Sequence, residues 1–172
     1  NKNGKKRSKM PIDMYELIHN SRVWGCAWDR GHHPLVDLQT VCDTLPTAKT
    51  NTYMLDATDD GVVVLDVEGR CPEHLKREFL KLPYSYGEVS MSGHGLHLIF
   101  ELPKHILAKY PNAMTKASLQ SENKDYEVLM ADHFVTFTRN TLPPADTTGT
   151  IEDFERIFEA LCSIQRQTVQ FD

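Results

Sequence analysis

The chain has 172 residues, a formal net charge of −5, 40% hydrophobic and 25% charged side chains. That size suits one domain, or one compact two-part domain, with a real core, and the composition is that of an ordinary globule. No run of eighteen apolar residues occurs, which excludes a spanning helix. The acidic balance excludes a surface coated in positive charge for wrapping duplex DNA.

Residues 1–11 open with NKNGKKRSKM, which is basic and lacks an apolar h-region, so they read as a flexible basic arm rather than a secretory signal. Cys26, Cys42, Cys71 and Cys162 show no C-x-x-C spacing. Inert thiols in a reduced, cytoplasmic setting are expected, not structural zinc.

In chain order, IDMYELIH (residues 12–19) has helical spacing, and RVWGCAW (22–28) reads as a strand running into the loop DRGHHP. Residues 35–45 carry a weak helical pattern. Residues 51–57 read as a strand, and TDDG (58–61) is a turn with Gly61 where φ > 0 is wanted. VVVLDV (62–67) is typical of a central strand. PEHLKREFLKL (72–82) is a helix with Pro72 in its first turn. Residues 88–92 and 96–102 form paired strands, and a helix covers 104–110. The polar stretch 111–124 is expected to be a mobile loop. YEVLM (126–130) and HFVTFT (133–138) make a second hairpin across Ala131-Asp132, residues 141–150 a linker, and residues 151–172 a closing helix. Mixed elements with hairpins point to antiparallel pairing in an α+β fold.

Strand alternation sends Asp66 and Glu68 to one face while Val67 points to the other. Two like charges side by side resist desolvation, which a divalent cation or a pair of basic residues offsets. Oxygen ligands with room for water suit Mg²⁺ or Mn²⁺. The plainer alternative is a strand that ends in two solvated acids. Glu127 lies inside another apolar strand, where an isolated carboxylate is again costly. Three strand-borne acids that converged would hold a two-metal site.

Between the paired strands lies EVSMSGHGLHLIFE, residues 88–101. Gly93 and Gly95 free a turn whose amides can face an anion. His97 opens an apolar strand and projects at the mouth of the sheet, either toward a triphosphate or into cross-strand hydrogen bonds. His94 at the tip reads first as solvent-exposed. Its three-residue separation from His97 excludes the paired-histidine pattern, one apolar residue between two histidines, of rolling-circle relaxases.

Taken together, VVVLDVEG, SYGEVSMSGHGLHLIF and DYEVLMADHFVTFT resemble the archaeo-eukaryotic primase superfamily, in particular the primase–polymerase domains of phages and mobile elements, over about residues 20–140. The resemblance implies an RRM-like antiparallel sheet carrying the acidic site, with a smaller N-terminal α/β unit, and a catalytic domain over residues 12–140. It implies Asp66, Glu68 and Glu127 as metal-binding catalytic acids, and His97, Ser92, Gly93, His94, Arg139 and Arg30 as substrate contacts. Ser92-Gly-His94 fits the family's Ser-x-His pattern literally, whereas His97 is the histidine in register with the strand that follows. Arg139 stands where the family has glycine. Trp24 and Trp28 read as core rather than as base-stacking platforms.

The implied reaction is template-directed nucleotidyl transfer on single-stranded DNA with (d)NTPs and Mg²⁺ or Mn²⁺, by the catalytic domain of a longer replication protein served by a helicase. Two other readings use the same residues: a non-catalytic replication-assembly or DNA-binding module of the same fold, and a metal-dependent nuclease.

Overall fold

A computed structural model describes residues 11–25, 36–48, 51–131, 133–143 and 148–171. Arg30, Trp28, His32, His33 and most of the basic arm lie outside the described residues. The chain divides into two compact units, Asn1–Ala48 and Lys49–Asp172.

In the first unit, Asp13 and Asp37 each accept a backbone N–H three residues on, from Glu16 and Thr40, and so start helices α1 (Met14–Asn20) and α2 (Leu38–Thr44). Of the strand expected over 22–28, the described part contributes one bridge, Ile12 with Gly25. Trp24 is 56% exposed, with the Arg22 guanidinium 5.7 Å from its ring centroid, so it is not the core residue its type suggested.

The second unit is α+β. Its strands are β1 (Asn51–Leu55), β2 (Val62–Val67), β3 (Tyr86–Val89), β4 (Leu96–Glu101), β5 (Ser118–Gln120), β6 (Tyr126–Leu129) and β7 (His133–Phe137). Five form an antiparallel sheet in the order β3-β4-β2-β6-β5, and β1 pairs with β7 in a separate two-stranded ribbon. The apolar run Val62–Val67 is the middle strand, which explains why Val63, Val64, Leu65 and Val67 are all fully buried.

The two faces of the sheet are covered differently. One face sends Val63, Leu65, Leu98, Phe100 and Val128 against helices α3 (Ala57–Asp60), α4 (Glu73–Phe79), α5 (Lys104–Lys109), α6 (Pro111–Met114) and α7 (Ile151–Phe171). Phe100 stacks on Phe154 at 4.2 Å, and Phe154 and Phe158 are fully buried. The expected closing helix thus packs into the core. On the other face, Val64 and Leu129 pack with Leu55 and Val135 of the ribbon.

Two expectations are corrected. Residues 111–124 are not one loop: Pro111 starts a helical turn that buries Met114, and Ser118–Gln120 is an edge strand anchored by Leu119. One apolar residue in three gives a periodic reading nothing to detect. Nor do β6 and β7 form a hairpin, because both edges of β6 are already taken, by β2 and by β5. The chain leaves the sheet at Ala131 and pairs with β1 instead. Beyond β7, the segment 138–142 lies along the outer edge of β3, with Val89 N–H donating to Asn140 O (2.8 Å) and Leu142 N–H to Gly87 O (3.0 Å). That edge is thereby closed to other chains.

Among the described residues no helix is long and apolar enough to cross a membrane.

Because α7 fills the core, Phe154→Ala is expected to cost about 3–5 kcal/mol. Urea denaturation of the two proteins checks this. A loss under about 1 kcal/mol would show that α7 contributes little to the core.

Candidate functional site

Antiparallel register puts directly opposed residues on the same face of a sheet. Asp66 on β2 stands opposite His97 on β4 and also opposite Glu127 on β6. His97 in turn faces Glu88 on β3, and Glu127 faces Gln120 on β5. One row thus crosses all five strands in the order Glu88, His97, Asp66, Glu127, Gln120.

Side-chain contacts run along this row. His97 Nδ1 lies 2.9 Å from Glu88 Oε1, and Nε2 lies 3.6 Å from Asp66 Oδ1. At the far end, Gln120 Nε2 donates to Glu127 Oε2 at 3.3 Å. The His97 side chain is 6% exposed, Glu88 is fully buried, and Asp66 keeps 24% of its side chain open. His97 is thus not at the open mouth of the sheet. The cross-strand bond considered as its plainer role is present, on one of its two nitrogens.

Glu88 is the residue that sequence reasoning passed over. Besides His97 it accepts three donors: Thr138 N–H at 2.9 Å on Oε1, and Arg139 N–H at 3.0 Å and Tyr86 O–H at 2.9 Å on Oε2. Burial pushes its carboxyl up, but the Thr138 amide, His97, Tyr86 and the Arg139 amide together outweigh that and leave it below the ordinary carboxylate value. Burial, reinforced by the bond to Glu88, pushes the Tyr86 phenol up to about 12. The signal was available. The expense assigned to a carboxylate in the strand around Glu127 applies equally to Glu88 between Gly87 and Val89.

The corner between β3 and β4 differs from the expected anion cradle. Gly93 N–H donates to Ser90 O (2.9 Å), His94 N–H to Ser92 Oγ (3.3 Å) and Gly95 N–H to Ser90 Oγ (3.1 Å). The amides of Gly93, His94 and Gly95 are thus taken within the turn. Its glycines serve shape: Gly93 has φ +82, and a Cβ at Gly95 would sit 2.6 Å from Val67 O. Lys76 Nζ ties the corner to the end of β2, donating to Gly69 O at 2.8 Å and His94 O at 3.4 Å. Ser92, Gly93 and His94 are all exposed, near the row but not in it.

Glu68 lies one residue beyond β2, exposed, its N–H donating to Asp125 O at 2.8 Å. Among the described residues no group of three or more His, Cys, Asp or Glu side chains is arranged to hold a metal ion. The structure therefore brings Asp66, Glu127 and His97 together and leaves Glu68 outside. As a donor set, the facing carboxylates of Asp66 and Glu127 suit a hard divalent cation: like charges directly opposite destabilise a strand pair, and a cation between them removes the penalty.

Arg139 lies in the segment that leaves β7, with φ 61 in the left-handed region. Glycine adopts this conformation without the cost of about 1–2 kcal/mol borne by other residues. The hydrogen bond from its amide to Glu88 holds the arginine there. Its side chain borders a cavity of about 510 Å³ that Tyr53, Tyr86, Ile99 and Phe137 also line.

No protein-family model matches the chain, and no curated protein matches it significantly.

Two outcomes follow from this geometry. Arg139→Gly is expected to raise stability by up to about 1 kcal/mol by relieving the backbone, read from the thermal midpoint. A drop in the midpoint would show that the arginine side chain contributes more than its backbone costs. In alkali, stability linked to Tyr86 is fully present below its ordinary value of 10.0 and is lost as pH rises toward about 12. Burial raises Tyr84, Tyr110 and Tyr126 as well, so phenolate absorbance should show several late-titrating groups, of which Tyr86→Phe removes one. In acid the sign is opposite: the Glu88 contribution is complete above the ordinary 4.5 and fades as pH falls through its lowered value.

Proposed function

We propose that this chain carries out template-directed nucleotidyl transfer on single-stranded DNA, as a primase–polymerase catalytic domain with an RRM-like sheet. The observation that carries the reading is the cross-strand row, in which Asp66 is flanked by His97 on one side and Glu127 on the other. Motif residues spaced about thirty positions apart along the chain fall into one line on one face. That coincidence agrees with the three motifs of the resemblance.

In this reading Asp66 and Glu127 hold Mg²⁺ or Mn²⁺, and Glu68 joins them from the end of β2. Such an ion, when bound, supplies charge neutralisation at the phosphoryl centre. The chain's own residues do the rest. His97 presents Nε2 toward the place where the phosphates of a (d)NTP would lie, and the buried half of the row keeps that side chain fixed. Arg139 offers a cation beside the same row. Positioning and fixed charge are the means by which such sites accelerate transfer. A helicase as partner, and the place of the chain within a larger replication protein, rest on the resemblance alone.

A second reading, a non-catalytic module of the same fold, has one observation in its favour. The amides of Gly93, His94 and Gly95, on the glycine side of the turn, are consumed internally and do not await an anion. The nuclease reading has no comparable observation.

Primer extension and unprimed synthesis on single-stranded DNA with labelled nucleotides and Mn²⁺ separate these readings. Asp66→Ala and Glu127→Gln are each expected to lower incorporation at least about a hundredfold. No product from the folded native chain would favour the module, and cleavage without added nucleotides would favour the nuclease.

A further inference from the structure

Glu88 brings together groups from three parts of the chain. Its Oε1 takes His97 Nδ1 from β4 and the Thr138 amide, and its Oε2 takes the Tyr86 hydroxyl from β3 and the Arg139 amide. A carboxylate can only accept, and two backbone N–H groups are fixed donors. Nδ1 of His97 therefore has to be the protonated nitrogen, which leaves Nε2 as the atom facing Asp66 at 3.6 Å. Without an acceptor at Nδ1 the ring would be free to exchange tautomers or to flip. The Arg139 amide on the other oxygen pins a left-handed, non-glycine residue at φ 61. Residues held in such conformations need their surroundings to over-determine them.

We propose that Glu88 is a positioning residue: it sets the proton on Nδ1 of His97, so that Nε2 is the atom presented along the row, and it anchors Arg139 beside it. As a statement about nucleotide handling, this rests on the function proposed above; as a statement about the imidazole, it does not. Glu88 touches no reacting atom and acts through the imidazole and the backbone amide that it holds. The arrangement parallels metal-site histidines, whose second nitrogen is oriented by a carboxylate and whose loss of that partner costs about ten- to a hundredfold.

The first experiment reads the ring directly. Long-range ¹H–¹⁵N correlation on the full chain, with His97 assigned by His97→Gln, reports which ring nitrogens carry hydrogen. A protonated Nδ1 in the native protein is expected, and an unprotonated Nδ1 would overturn the proposal without need of any variant. Glu88→Ala, which removes both acceptor oxygens, with folding checked by circular dichroism, should lose the fixed Nδ1–H signature, and an unchanged spectrum would likewise overturn it. The second experiment is kinetic. Where the native chain incorporates nucleotides, Glu88→Gln should lower kcat/KM about ten- to a hundredfold. Adding it to His97→Gln should cost less than the product of the separate losses, because the two act as a unit. Unchanged kinetics in Glu88→Gln would overturn the positioning role. If the native chain incorporates nothing, the polymerase reading falls and the spectrum alone decides the case for Glu88.

Discussion

Register is the constraint from which the rest of the structure follows. Because β2 has an antiparallel neighbour on each edge, Asp66 has two cross-strand partners, and both pairings are fixed by the burial of Val63, Leu65 and Val67 on the opposite face. A slip of one residue would push those side chains out of the helix-covered core and bring Asp66 into it. The hydrophobic face thus specifies the polar one. The charges in the row do not set their own positions; the packing behind them does.

Placing Glu88 at the buried end of that row carries a desolvation cost, which is met by four donors rather than by a counter-charge alone. Two of the donors are backbone amides that become available only because the chain turns sharply after β7. The ribbon, the exit segment and the sheet are consequently joined through one carboxylate. Buried polar networks of this type rigidify when fully satisfied and are costly when partly so. At the other end the half-buried Glu127 takes a side-chain donor, Gln120, and Glu68 lies exposed beyond β2, outside the row.

Much of this was legible in the residues. The β-branched run identified β2 as central, alternation placed Asp66 on the face away from the core, and the apolar strand after His97 singled out that histidine over His94. The pairing of β1 with β7 was not legible, since it joins distant segments and leaves no local signal. The edge strand around Leu119 was hidden by its brevity. The hairpin expected at Ala131-Asp132 failed for a topological reason: local turn chemistry says nothing about which strand edges are already occupied. Glu88 was missed because it was read as one end of a strand rather than as an acid within one. The glycines of the corner were seen as a demand on the backbone, and in the structure that demand is positive φ at Gly93 and close approach to Val67 O at Gly95.

The pairing of Asn51–Leu55 with His133–Phe137 also bears on the order of assembly. Strand pairs that close large loops form late, because the entropy of closure has to be met before their contacts contribute. The hairpin of β3 and β4 is local and can form early, with Glu88 and His97 already opposed. The Thr138 and Arg139 amides arrive only with β7, so during synthesis the carboxylate waits for a segment made much later. Until then the hairpin has to keep Glu88 hydrated, and the row becomes rigid in the same step that buries it. The site and the finished tertiary fold are therefore completed together.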